Sequence, residues 1–360
     1  MRKLYIHAGL NKTGSTSLQL FLIDQKDWLK TQGFCYPDLG NTFIHDFKFK
    51  TTSGNLADLR EKYFLYKNDI VSFSTYIDDF ASSLNKYSAE LPDNVSIILS
   101  SEFLCALPES FLSIIHKTLA IFFDIKIIFF ERDSYSWLIS AISESIKGVR
   151  YSGNLLFRDC GKDIFFKFLE PLLLEKKLLA QKICYIKLKY KSNIDVIEIF
   201  LKALNFSLPS NYVSSDYIAN TSDKEYSLLN LVLNRFRVDL NTTNKLVKIA
   251  SSEHLHTKKL YFYSDELDKK IDEFYQLNNL RRDKNVSIEF PKISDEEELL
   301  KDAHISLNLL NKIVSTINYD KYHSRINRLF EIVERKIFFT SSYFINSVPH
   351  NFDCIAYLIN

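Results

Sequence analysis

The sequence predicts an α/β protein built on a central, mostly parallel sheet between layers of helix, with a helical extension at its C-terminal end. Short apolar runs at residues 4–8, 95–99, 125–130 and 183–188 alternate with stretches whose apolar residues fall at helical spacing. The run at 125–130 is nearly continuous, as in a parallel strand buried on both faces. Polar clusters stand at 9–16, 100–102 and 131–140, each just past one of these runs, and open α/β sheets bind ligands at the carboxyl ends of their strands.

Taken in order, residues 4–8 read as a strand that meets Gly9-Leu10-Asn11-Lys12-Thr13-Gly14-Ser15-Thr16. Leu18, Phe21 and Leu22 then follow i, i+3, i+4 spacing, so a polar glycine loop joins this strand to a helix. Residues 55–91 read as helices without a chemical motif, and Pro92-Asp93-Asn94 as a turn. The strand at 95–99 ends in Ser100-Ser101-Glu102. Pro108 suits the first position of the next helix, which runs to about residue 122. The strand at 125–130 ends in Glu131-Arg132-Asp133. Ser134 reads as the N-cap of a helix that ends at Lys147, with Gly148 just beyond. A strand at 183–188 and an amphipathic helix over 195–204 follow. Tyr226, Leu229, Leu233 and Phe236 keep helical spacing farther on. Residues 1–290 are thus expected to form the α/β domain, with 205–290 mainly helical. Residues 282–294 read as a linker, and Ser294-Asp295-Glu296-Glu297 has the form of a capping box opening a helical extension over 295–360.

Composition narrows the function classes. The chain has 360 residues, 46% hydrophobic and 25% charged, an ordinary globular balance. Lys and Arg total 46 against 44 Asp and Glu, a formal net charge of +2. That excludes the broad basic field of a general nucleic-acid binder, so any anion site must be built locally. Gly161 is the last of only eight glycines, which excludes glycine-rich repeats. The five cysteines are odd in number and show neither CxxC nor Cys/His ligand spacing. They read as reduced thiols of a cytoplasmic protein, and no metal site is expected. The most apolar stretch, 111–130, is broken by His116, Lys117, Asp124 and Lys126, so no integral membrane segment is expected either.

The segment Lys12-Thr13-Gly14-Ser15-Thr16 carries the sharpest local chemistry. Backbone amides at a helix N-terminus point at an anion, and the helix dipole favours negative charge there. Gly14 permits close backbone approach, the hydroxyls of Thr13, Ser15 and Thr16 supply donors, and Lys12 supplies a mobile point charge. The strand–loop–helix order is P-loop-like. It is not a Walker A sequence, because the lysine precedes the glycine instead of following it.

The same residues, with His7-Ala8-Gly9 before them and Ser17-Leu18-Gln19 after, resemble the 5′-phosphosulfate loop of sulfotransferases that use 3′-phosphoadenosine 5′-phosphosulfate (PAPS). They are most similar to the bacterial carbohydrate-type branch, whose loop reads roughly H-x-G-x-x-K-T-G-[TS]-[TS]-x-x-Q. A second family motif, an arginine at a later strand end with a serine eight residues on, is matched by Arg132 and Ser140. The resemblance implies that residues 12–16 hold the 5′-phosphosulfate, that Arg132 and Ser140 hold the 3′-phosphate, and that Ser100 faces the nucleotide. It further implies an acid/base residue at the end of the strand between the two motifs, where Glu102 stands. The C-terminal R-K-G-x-x-G-x-W-K segment of cytosolic members is missing, since no glycine follows Gly161. This departure favours the carbohydrate-type branch.

The implied activity is in-line transfer of the sulfuryl group from PAPS to a hydroxyl of a glycan or glycolipid, leaving adenosine 3′,5′-bisphosphate (PAP), with no metal. Lys12 would stabilise the leaving group and Glu102 would take the acceptor's proton. His7 and His45 are rival bases. His7 sits on the first strand and reads first as a structural histidine. His45 lies in Phe43-Ile44-His45-Asp46, where the adjacent acid can orient it toward an acceptor. The C-terminal helices are a candidate homodimer contact. The competing readings are a nucleotide-dependent kinase or glycosyltransferase of surface-polysaccharide synthesis, which would need a Walker lysine or a D-x-D motif, and a non-catalytic protein on a sulfotransferase-like core.

Overall fold

The computed structural model describes residues 1–39, 45–46, 51–52, 54–56, 58–147, 156–157, 162–190, 194–214, 217, 230–231, 234, 244, 247, 262–282 and 292. The extension expected over 295–360, Gly148, and all of the 282–294 linker except Arg282 and Lys292 lie outside the described residues. The chain divides into two compact units. Residues 1–132 and 170–220 form the first, and 133–169 and 221–360 the second.

The first unit holds all the strands found among the described residues. In chain order they are β1 (Arg2–His7), β2 (Phe34–Cys35), β3 (His45–Asp46), β4 (Thr51–Thr52), β5 (Ser96–Ser100), β6 (Phe123–Glu131) and β7 (Tyr185–Lys189). Five of them form one sheet in the order β2-β5-β1-β6-β7, with every neighbouring pair parallel. Leu4 lies opposite Ile97 on one side and Ile125 on the other. β3 and β4 form a separate antiparallel ribbon, and β4 packs against α1 (Ser15–Asp24). Helices cover both faces of the sheet, giving the three-layer α/β architecture that the alternation of strand and helix predicts.

Side-chain alternation explains the layers. Tyr5, Ile98, Ile128 and Phe130 point to one face and join a buried cluster with Leu18, Phe21 and Leu22 of α1 and with Ile197, Phe200 and Leu201 of α9 (Val196–Ala203). Seven of the ten residues of α1 are buried, because this helix is covered nearly all round. Leu4, Ile6, Ile97, Leu99, Ile127 and Phe129 fill the opposite face. There α5 (Glu109–Leu119) packs on β6 and on α4 (Ile70–Ala89), whose apolar stripe is Phe73, Ile77, Ala81 and Leu84. Two short helices, α2 (Lys26–Thr31) and α3 (Asp58–Tyr66), and α8 (Leu174–Ala180) complete this unit. After β1 the chain moves to β2 on one side, while after β6 it moves to β7 on the other. The winding therefore reverses beside β1, which is where such sheets open a crevice at their carboxyl ends.

The second unit contains α6 (Ser134–Lys147), α7 (Lys162–Leu169) and α10 (Asp265–Leu277). Trp137 of α6 meets Phe168 of α7 at 6.0 Å between ring centroids. The hydroxyl of Tyr135 accepts the amide of Ser264 at 2.8 Å, just before α10. Arg282 is almost wholly buried between the carboxylates of Asp268 and Asp272, at 2.6 and 3.0 Å.

Some boundaries differ from the sequence reading. β1 and β6 each start two residues earlier than their apolar runs, since strand pairing extends past the apolar segment. Asp133, not Ser134, caps α6: its Oδ1 accepts the Ser136 amide at 2.8 Å. Ser134 is the first helical residue, and its hydroxyl accepts from Arg282 Nε at 3.0 Å. Adjacent residues can both cap; here Asp133 does, and the Ser134 hydroxyl is taken by a partner 148 positions away. Pro108 precedes α5 as its cap instead of opening it, and Asp195 caps α9 as its type suggests, with Ile197 N–H at 2.8 Å.

Candidate anion site at the carboxyl edge of the sheet

The glycine loop grows directly out of β1. The Ala8 amide donates to Ile128 O at 2.8 Å and the Phe130 amide to Gly9 O at 2.7 Å, so the chain still tracks β6 past the strand's formal end. Gly9 has φ +100°, and a Cβ there would come within 3.4 Å of the Glu102 carbonyl oxygen. That contact is an ordinary one, and it is the left-handed backbone that calls for glycine here. The loop then folds around one acceptor. Thr13 Oγ1 and Ser15 Oγ both donate to the Leu10 carbonyl, at 2.5 and 3.2 Å. Those two hydroxyls brace the loop from inside and are buried, whereas Lys12, Gly14 and Thr16 remain half-buried at its rim.

Gly14 stands at the N-cap of α1 with φ +85°, and no side chain caps the helix. A Cβ at Gly14 would lie 2.9 Å from Val196 Cγ2 of α9. The first amides of α1 have no intrahelical acceptor, by the geometry of any helix start, and with the macrodipole they make a region of positive potential.

Arg132 arrives at this loop from the end of β6. Its Nη1 donates to the Lys12 carbonyl oxygen, and its guanidinium lies over the ring of Tyr190, 5.1 Å from the centroid. Tyr190 follows β7, where its amide donates to Glu131 O at 2.8 Å. The sequence reading missed Tyr190; an aromatic residue one step past a strand end is too common a signal to single out.

Beneath the loop lies a buried polar wall. Ser100 Oγ is 2.9 Å from His7 Nδ1 and accepts from Gln19 Nε2 at 3.0 Å. The Ser100 amide donates to Asn55 Oδ1 at 2.8 Å, and Asn55 Nδ2 donates to Pro37 O and Ile98 O. His7 and Ser100 are fully buried. Burial drives the His7 imidazole down to a pKa of about 3, so it is neutral near pH 7. Among the rival bases, His7 is thus enclosed and weakly basic. Ser100 sits at the carboxyl end of β5 as expected, but its hydroxyl is held by His7 and Gln19. Gly54, at φ +76°, packs so closely on Ser100 O and the Gln19 amide that a Cβ would collide with both.

Glu102 is exposed and opens a 3₁₀ helix, Glu102–Ala106, directly after β5. The backbone of this turn abuts Gly9. Cys105 donates its thiol to the Glu102 carbonyl at 2.9 Å. His45 lies on β3, opposite Thr52 of β4. Ser140 belongs to the second unit, half-buried on α6.

Lys12, residues 13–16, Ser100, Glu102 and Arg132 therefore gather at the carboxyl ends of three adjacent strands, β5, β1 and β6. Among the described residues there is no group of three or more His, Cys, Asp or Glu arranged to hold a metal ion. No helix among them is long and apolar enough to cross a membrane. No protein-family model matches the chain, and neither a curated protein nor a solved structure matches it.

Proposed function

We propose that this protein is a PAPS-dependent sulfotransferase that transfers a sulfuryl group to a hydroxyl of a glycan or glycolipid. The observation that carries the reading is the hydrogen bond from Arg132 to the Lys12 carbonyl at the uncapped N-terminus of α1. It brings the Arg132 guanidinium and the backbone of Lys12 to the positive end of a helix at the sheet's carboxyl edge, a donor set suited to a multiply charged phosphate ester and its sulfate. The donor supplies an activated sulfuryl group. The chain's residues align it and neutralise charge, which in-line transfer of this kind needs more than covalent help.

In this reading the α1 amides and the Thr16 hydroxyl hold the 5′-phosphosulfate. Lys12 stabilises the charge that grows on the bridging oxygen as its bond to sulfur breaks. Glu102, on the neighbouring strand end, takes the proton from the acceptor hydroxyl as the new oxygen–sulfur bond forms. Arg132 steadies the loop and meets the remaining phosphate. Thr13, Ser15 and Ser100 act indirectly, by fixing the shape of the loop and its floor.

Thermal unfolding with added PAP tests the reading directly. Ligand at a hundred times its Kd stabilises by about 2.7 kcal/mol, enough to raise the melting temperature by several degrees. A larger shift with ATP than with PAP would turn the assignment toward a kinase. No shift with either would remove it.

A further inference from the structure

Lysine is almost never fully buried without a task, and Lys177 of α8 is 6% exposed. Its Nζ donates to the Leu107 carbonyl at 2.8 Å and to the Cys105 carbonyl at 3.5 Å, and it faces Glu170 Oε1 at 3.6 Å. The two carbonyls close the C-terminal end of the 3₁₀ helix whose first residue is Glu102. An ammonium at that end satisfies carbonyls left without a helical partner and complements the negative end of the local dipole. The same end of the turn is tied across to the glycine loop. Cys105 accepts the backbone N–H of Asn11 while its own S–H donates to Glu102 O. Burial pushes the thiol up to about 12, so it stays protonated and can play both parts at once.

We propose that Lys177 is a positioning residue: by holding the Cys105 and Leu107 carbonyls it fixes the turn that presents Glu102 to the acceptor beside the glycine loop. The proposal rests on the sulfotransferase reading for its catalytic half only; the ordering of the turn stands independently. The hydrogen bonds and ion pair of Lys177 go to Leu107, Cys105 and Glu170 and not to the anion loop. Its loss is therefore expected to act on turnover and not on nucleotide affinity.

The test uses the full chain with three variants, Lys177→Met, Lys177→Arg and Glu102→Gln, and the Glu102→Gln/Lys177→Met double variant. PAPS is the donor and water the acceptor, so that sulfate and PAP are released and no glycan has to be known. Lys177→Met is expected to slow release about tenfold, a part of the ~10²–10⁴-fold a general base contributes. Its Kd for PAP by calorimetry should stay within about twofold of wild type, since no phosphate contact is removed. Lys177→Arg, which keeps the charge and the donors, should recover most of the rate. The double variant should be no slower than Glu102→Gln alone, because residues acting as a unit are not additive. Hydrogen exchange across residues 102–107 should rise at least about tenfold in Lys177→Met.

Unchanged exchange in that segment overturns the proposal, and so do additive rate losses or a weakened PAP Kd in Lys177→Met. Wild-type protein that neither binds PAP nor releases sulfate, together with faster exchange in Lys177→Met, would remove the sulfotransferase reading and the catalytic half. The anchoring of the turn would remain.

Discussion

The outer rim and the inner wall of the sheet's carboxyl edge use the same kinds of residue for opposite ends. Lys12, Thr16, Glu102 and Arg132 at the rim are exposed or half-buried. His7, Gln19, Asn55 and Ser100 in the wall are buried and linked to one another through Ser100, while Asn55 also donates to two backbone carbonyls and His7 Nε2 has no partner among the described residues. The wall is neutral, since burial keeps His7 uncharged. The rim keeps its charge in contact with solvent. Buried polar groups hydrogen-bonded to one another fix shape, while charged groups at the edge can still exchange water for ligand. In the proposed reading chemistry falls to the rim and rigidity to the wall.

Substitutions can break that division. Lys12→Ala should have the largest effect, lowering sulfuryl transfer from PAPS about 10²–10³-fold while the melting temperature stays near that of wild type. Wild-type turnover would take Lys12 out of the mechanism. Glu102→Gln should cost about 10²-fold in turnover with PAP affinity unchanged. A variant that loses affinity equally would move Glu102 from the acceptor side to the nucleotide side.

The wall should respond in stability instead. Gly54→Ala forces a Cβ into Ser100 O and the Gln19 amide at a backbone angle that favours glycine. It should destabilise by about 1–3 kcal/mol in denaturant melts. Ser100→Ala strands the His7 and Gln19 nitrogens at a similar cost, about 1–3 kcal/mol, with the PAP Kd nearly unchanged. Weak PAP binding by a stable Ser100→Ala protein would erase the line between wall and rim.

A separate effect concerns pH. The folded-state pKa of His7, about 3, lies below the ordinary value of 6.5, so the unfolded chain binds a proton that the folded chain refuses. Stability from this residue is complete above about pH 6.5 and is lost as pH falls toward 3. His7→Gln should flatten that part of the curve in a pH series of thermal melts. An identical slope would show that His7 is already charged, or already solvated, in the native wall.

Much of the fold is legible in the sequence because it depends on local pattern. The strand at 125–130 appears where its apolar run puts it, the helix after the glycine loop where periodicity does, and the helix ending at Lys147 where its end signals do. The two-residue β2 escapes notice because two residues carry no period. The candidate site is only half legible. Lys12 and Arg132 were separated by 120 positions, and their strand-end placement predicted a shared edge; the hydrogen bond between them depends on β1 and β6 being neighbours. Lys177 gave no signal at all, since a lysine on a short amphipathic helix reads as solvent-facing.

The sequence by itself determined the alternation of strand and helix, the glycines that turn the loop, and the residue types available at each strand end. Tertiary structure alone decided which of those polar residues face water and which face each other. His7 and Glu102 are both ionisable groups close to strand ends. One is buried against Ser100, 93 positions away, and the other stands open on the edge, because burial depends on which distant strands and helices pack on a residue and not on its neighbours in the chain.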